Sequence, residues 1–186
     1  MPLNIPNLVT LSRIIVIPLL VGVFYMPLTP ETQNITATAL FIFAGITDWL
    51  DGYLARRLNQ MSPFGAFLDP VADKLIVVSA LLALLYLNRV DVIVSLIIVG
   101  REIAISALRE WMAKVGQTAA VAVAFIGKAK TVAQMVAIAL LLFHDPLVGL
   151  DCQFLGTILV NVAAVLTVIS MLYYLRKALP YASVRS

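Results

Sequence analysis

Asp48-Trp-Leu-Asp51-Gly52-Tyr-Leu-Ala55-Arg56, then eight residues, then Gly65-Ala-Phe-Leu-Asp69-Pro-Val-Ala-Asp73, sets four carboxylates into sequence that otherwise reads as membrane helix. An uncompensated Asp in such a place costs about 2.5–3.5 kcal/mol on insertion scales, so a bundle that keeps four needs something to neutralise them. Asp48 and Asp51 are three apart, and Asp69 and Asp73 four apart, so each pair occupies one face of its own helix. Ser62-Pro63 between them marks a turn that would make the two helices antiparallel neighbours. Two facing pairs make an oxygen-only site of the kind that hard ions such as Mg²⁺ or Mn²⁺ prefer, with substrate phosphates completing the shell. Neither a thiol nor a His lies near enough to argue for zinc.

Outward from this stretch the whole chain is apolar. Of its 186 residues 62% are hydrophobic and 12% charged, against roughly half and a quarter in soluble domains. Pro, Gly and polar clusters divide it into six apolar segments, 8–27, 34–57, 66–87, 91–114, 129–143 and 153–176. The connections 28–33, 88–91 and 144–152 hold one basic residue, Arg89, beside Glu31, Asp91, Asp145 and Asp151. The other basic residues lie in or beside the first segment, the 56–74 turn, the 101–130 stretch and the C-terminal tail. By the positive-inside rule both termini are expected on the cytoplasmic side, in agreement with an even number of spans.

The expected fold is therefore all-α: one polytopic membrane domain over 1–186, with six transmembrane helices around a cytoplasm-facing polar cavity. With no basic leader and no small-residue cleavage site, the first segment is expected to remain as an anchor rather than be removed. The formal charge of +3 is modest and no nucleic-acid partner is expected. Cys152 reads as a small apolar filler, and His144 as a loop residue. Trp49, Trp111, Tyr173 and Tyr174 are assigned to an interfacial aromatic belt. Gly156, Ala163 and Ala164 suit either close helix packing or a homodimer seam.

Gly52 and Ala55 strip side chains from the helix face beside Asp51, so a phosphate could approach the backbone, with Arg56 in reach as a fixed positive charge. The spacing D-x2-D-G-x2-A-R-x8-G-x3-D-x3-D resembles the motif of the CDP-alcohol phosphotransferase family, with every fixed position present over residues 48–73. The resemblance implies an enzyme in which Asp48, Asp51, Asp69 and Asp73 bind two divalent ions, Mg²⁺ or Mn²⁺, and Asp73 also takes the proton from an acceptor hydroxyl. Asn7-Leu-Val-Thr10-Leu-Ser-Arg13, Gly100-Arg101-Glu102 with Ala107-Leu108-Arg109-Glu110-Trp111, and Gly127-Lys128-Ala-Lys130-Thr131 resemble the bacterial branch of the family whose donor is CDP-diacylglycerol and whose acceptor is sn-glycerol 3-phosphate. That implies a bacterial inner-membrane enzyme in contact with membrane lipids, with Asn7, Thr10, Arg13, Gly52, Ala55, Arg56 and Gly65 binding the CDP-lipid.

A phosphorylated acceptor needs cations that the diphosphate does not occupy, and Arg101, Arg109, Lys128 and Lys130 are the available set. Topology alone accounts for Arg57 and is the alternative for the 101–130 cluster, with Lys114 the weakest phosphate candidate. Glu102 and Arg109, seven apart on one helical stripe, are expected to pair. Two rival functions stay in view. One is a sibling enzyme with serine, inositol phosphate or a second phospholipid as acceptor; the other is a divalent-cation transporter, which would need a polar path beyond the aspartates.

Overall fold

The computed structural model describes residues 5–57, 63–116, 125–147 and 149–181, and among them the regular structure is entirely helical. Six helices form where the apolar segments lie: α1 Ile5–Gly22, α2 Pro30–Arg57, α3 Pro63–Tyr86, α4 Val92–Lys114, α5 Phe125–Phe143 and α6 Cys152–Ala178. Pro30 and Pro63 each open a helix, where the missing N–H has no intrahelical partner to lose. Two acidic residues of the connections prove to be N-caps. The Asp91 carboxylate accepts from the Ile93 N–H at 2.7 Å, and that of Asp151 from the Phe154 N–H at 2.9 Å.

Among the described residues two helices are long and apolar enough to cross a membrane, Leu8–Tyr25 and Cys152–Tyr181. The others carry the charges noted above, and α5 offers a shorter apolar run, Lys130–Phe143. Every helix nonetheless turns bare apolar side chains outward: Ile15, Ile46, Leu82, Leu96, Val132 and Val165 are all exposed. A water-facing surface of this kind would be an association hazard; a lipid-facing one is not.

The most extensive interface joins α5 to α6, followed by α1 with α2 and α3, then α4 with α6 and α2 with α5. Small residues make the close approaches possible. A Cβ on Gly156 would fall 2.8 Å from Leu141 Cγ and 3.2 Å from its backbone N, so α6 lies directly against α5. Ala163 and Ala164 are buried as well, which places these small residues inside the chain's own bundle. The main core combines Val16, Leu20, Phe41, Ile76, Leu81, Leu84, Ile98, Ile138, Leu141 and Leu142 from five helices, with Val160 and Ala164 from α6.

One end of the bundle is tied by a polar clasp. Arg89 Nη1 donates to the carbonyls of Leu142 (3.0 Å) and Leu141 (3.3 Å), satisfying the C-terminus of α5. Burial pulls the Arg89 guanidinium below the ordinary arginine value, and the charge of Asp145 opposes that shift. Asn34 Nδ2 donates to Asp145 Oδ2 at 3.0 Å, and Gln153 bridges the Arg89 carbonyl and His144 at 3.1 Å each. The lone basic residue of these connections is thus a structural tie. Since successive helices alternate in direction, the start of α1 and the end of α6 lie at the opposite end, where the chemistry-bearing residues gather.

Candidate active site

At that opposite end, Arg13 of α1, Asp48 of α2, Asp69 and Asp73 of α3, Arg101, Glu102 and Arg109 of α4, Thr131 and Gln134 of α5 and Tyr174 of α6 line one cavity of about 560 Å³. The helical spacing read from sequence brings Asp69 and Asp73 to the same wall, and Asp48 faces them from the neighbouring helix. The Asp48 and Asp73 side chains are 47% and 44% exposed, so solvent ions and substrates can reach them.

The aspartates are held from α1. Thr10 Oγ1 donates to Asp69 Oδ1 at 2.5 Å, and the Arg13 guanidinium donates to Asp48 Oδ1 at 3.1 Å and also to Asp73 Oδ1. Both α1 residues are completely buried, and they are three apart on one helix face. The sequence reading placed Thr10 and Arg13 against the donor lipid. Here their polar atoms sit on the carboxylates, so any contact with a bound nucleotide would be made from within the aspartate group. Gly65 is buried near the start of α3.

A second charged group lies across the cavity. Glu102 Oε1 accepts from Arg101 Nη1 at 2.7 Å and from Lys130 Nζ at 2.9 Å, with Lys130 fully buried and Arg101 nearly so. The expected Glu102–Arg109 pair does not form. Glu102 turns instead to the adjacent Arg101 and to α5, while Arg109 is exposed on the cavity wall without an ion pair among the described residues. Burial supplies the reason, because Lys130 has no water to solvate its charge and Arg109 does. Lys114 pairs with Glu110 at 2.9 Å on the outer surface and stands apart from the cavity.

Some cavity residues were missed from the sequence. Tyr174 was assigned to the interfacial belt along with Tyr173; only Tyr173 is exposed, whereas Tyr174 is buried and lines the cavity. Gln134 lies one turn beyond Lys130, and its Oε1 is buried without a hydrogen-bond partner among the described residues. A glutamine four residues after a buried lysine in an apolar helix was the available signal. Among the described residues no three potential ligand side chains converge tightly on one point. The side chains of Asn7, Asp51, Gly52, Ala55, Arg56 and Lys128 lie outside those described, although their backbones belong to α1, α2 and α5.

Beside the polar cavity a larger apolar groove of about 840 Å³ lies between α2 and α5. Ile35, Phe41, Ile42, Ile46, Val132, Val136, Leu140 and Phe143 line it, together with Cys152. Gly45, Thr131 and Met135 border both spaces.

Carboxylates, a buried cation pair and an apolar groove meeting in one helical bundle fit a reaction between a phosphorylated lipid and a charged partner, and comparison with known proteins agrees. Two curated relatives, from Shigella flexneri serotype 5b (strain 8401) and Escherichia coli (strain K12), are each 49% identical over 180 residues, which is 96% of this chain and 96% of theirs. Both carry the name CDP-diacylglycerol–glycerol-3-phosphate 3-phosphatidyltransferase. The statistical description of the CDP-alcohol phosphatidyltransferase family matches residues 3–169, nearly the whole chain, and the chain belongs to that family.

Proposed function

We propose that this protein transfers the phosphatidyl group of CDP-diacylglycerol to sn-glycerol 3-phosphate, giving phosphatidylglycerophosphate and CMP. The observation that carries the reading is the proximity of three environments: an acidic wall, a cationic wall and an apolar groove that shares Gly45, Thr131 and Met135 with the polar cavity. Such a space suits a substrate with a charged diphosphate and two hydrocarbon chains, alongside a small anionic acceptor. The naming of the two relatives points to the same pair of substrates.

Asp48, Asp51, Asp69 and Asp73 are the residues that would hold Mg²⁺ or Mn²⁺. The donor set fits: it is all oxygen, comes from two adjacent helices, and is open to solvent at Asp48 and Asp73. When bound, the ions would neutralise the diphosphate and the charge that develops on departing CMP. Thr10 and Arg13 hold the carboxylates in register from α1. Asp73 receives the proton of the acceptor hydroxyl, a role that rests on the family resemblance. The freed oxygen forms a bond to the phosphorus attached to diacylglycerol, and the bond from that phosphorus to CMP breaks. Arg101, Lys130 and Arg109, with Lys128 of the same α5 turn, receive the phosphate of the acceptor. Asn7, Gly52, Ala55, Arg56 and Gly65 are assigned to the CDP-lipid.

The acyl chains lie in the groove between α2 and α5, reached sideways from the bilayer. In this reading all six helices cross a bacterial inner membrane, the outward apolar side chains face lipid, and the cavity opens to the cytoplasm, where the basic residues concentrate. The test is CMP release by detergent-purified protein given CDP-diacylglycerol and one acceptor at a time. Release should require glycerol 3-phosphate, disappear with a chelator and return with Mg²⁺ or Mn²⁺. Equal turnover with serine or inositol phosphate would overturn the acceptor assignment.

A further inference from the structure

Gln134 follows Lys130 by one helical turn on α5 and lines the polar cavity together with Arg101, Glu102 and Arg109 of α4. It is 3% exposed, and its Oε1 is buried without a hydrogen-bond partner among the described residues. Arg101 Nε is in the same condition. A buried polar group left unpaired costs free energy, so two of them on residues that line one cavity point to a ligand that completes them. The other neutral polar side chains of the cavity are already engaged. Ser106 Oγ donates its proton to the Glu102 carbonyl at 2.8 Å, and neither Thr131 nor Tyr174 is free.

The chemistry of the amide narrows what completes it. A neutral group does not offset a phosphate dianion, and Arg101 and Arg109 line the same cavity for that purpose. A hydroxyl is the better match, because it both donates and accepts, and a half-turn of the terminal amide exchanges its oxygen and nitrogen. Glycerol 3-phosphate carries three polar groups. Its phosphate goes to the cations, and its terminal hydroxyl, the less hindered nucleophile, goes to Asp73. The central hydroxyl has no partner in that scheme. We propose that Gln134 hydrogen-bonds the central hydroxyl of the acceptor and so selects glycerol 3-phosphate over phosphorylated alcohols that lack it. The proposal rests on the functional reading above and adds to it a residue that binds through neither charge nor metal. A site built to bond a hydroxyl rejects the analogue without one, since the protein group is then left unpaired.

The probe is 3-hydroxypropyl phosphate, which keeps the terminal hydroxyl and the phosphate but lacks the central hydroxyl. CMP release from CDP-dipalmitoylglycerol gives kcat/KM for each acceptor in wild type and in Gln134→Met, a change that keeps the length of the side chain and removes its hydrogen bonds. Wild type should favour glycerol 3-phosphate by about tenfold or more. Gln134→Met should lower kcat/KM for glycerol 3-phosphate by about tenfold and leave that for the probe unchanged, so that the preference collapses. The donor KM should not move. Because Oε1 is unpaired in the free protein, the substitution should not lower the melting temperature, whereas a merely structural glutamine would lower it and slow both acceptors alike. Equal kcat/KM for the two acceptors in wild type, an equal loss for both in Gln134→Met, or an effect confined to the donor KM would each overturn the assignment. Should Gln134→Met fail to fold, Gln134→Leu takes its place, and the wild-type comparison alone still suffices to overturn it. Wild-type protein that releases no CMP with glycerol 3-phosphate would remove the parent reading and this one together; an active wild type indifferent to the central hydroxyl removes the role of Gln134 alone.

Discussion

Replacing Lys130 with Met separates acceptor binding from stability. The Lys130 side chain is fully buried, and its ammonium donates to Glu102 Oε1 at 2.9 Å. Methionine matches the length of the lysine stem and keeps its apolar contacts, removing only the charged head. Glu102 is not stranded by the change, because Arg101 remains 2.7 Å from the same oxygen and the carboxylate is 23% exposed. The fold should therefore survive with little loss of thermal stability. If the Lys130 ammonium meets the acceptor phosphate as proposed, the change removes one charge-assisted hydrogen bond, worth about 1.5–3 kcal/mol, which corresponds to about a 10- to 150-fold fall in kcat/KM for glycerol 3-phosphate. The donor KM should change little. Glu102→Ala makes the contrasting control: it leaves two buried cations facing each other without their carboxylate, and should destabilise the protein by up to about 3–5 kcal/mol. The assay is steady-state CMP release with each substrate varied in turn, beside thermal unfolding in the same detergent. An unchanged acceptor KM in Lys130→Met, or a penalty shared equally by donor and acceptor, would refute the placement of the phosphate at this pair.

Two further predictions concern the aspartates and the helix contacts. Asp73→Asn should lower turnover by roughly 10²–10⁴-fold if the carboxylate accepts the acceptor proton, measured as the rate of CMP release at saturating substrates; full turnover would sink that role. Gly156→Ala would force a methyl to within 2.8 Å of Leu141 Cγ, an overpacking that costs about 1–3 kcal/mol. At roughly 2–4 °C per kcal/mol for a chain of this length the melting temperature should fall by several degrees, and an unaltered melt would show that α5 and α6 separate more easily than their contact suggests.

The six helices were legible because proline and polar clusters punctuate an otherwise apolar chain, and their ends agree with the segments to within a few residues. The aspartate wall was legible for a similar reason, since spacings of three and four fix a helix face whatever lies opposite. What lies opposite was not. Thr10 and Asp69 are 59 positions apart, and Arg13 and Asp73 are 60. No local period reports a contact of that range. Arg101, Lys130 and Arg109 were marked as a cation set; Arg101 and Arg109 line the cavity and Lys130 is buried behind it on Glu102, but periodicity along α4 could not show that a buried lysine on α5 would outbid Arg109 for Glu102. Tyr174 failed for a related reason. The apolar residues of α6 run around the whole helix, so its sequence does not reveal which of two adjacent tyrosines turns inward. The groove between α2 and α5 was invisible to sequence because it is a relation between two helix faces, each of which alone reads as ordinary lipid-facing surface.

The same geometry bears on the transporter alternative. The polar lining ends where Ala44, Ile76 and Val77 border the cavity, and beyond it Ala80, Leu81, Leu84, Ile138 and Leu141 pack as core. Ions held at the aspartates meet no continuous polar route through these residues, whereas a lipid held there meets an apolar groove of matching character.

Reconstitution separates these outcomes directly. Purified protein in liposomes containing CDP-diacylglycerol is given glycerol 3-phosphate and Mg²⁺ or Mn²⁺, and the products are followed by mass spectrometry alongside metal flux. The account predicts CMP and phosphatidylglycerophosphate in equal amounts, with neither formed when glycerol 3-phosphate is withheld. Metal entry without CMP, or CMP release that ignores glycerol 3-phosphate, would contradict it.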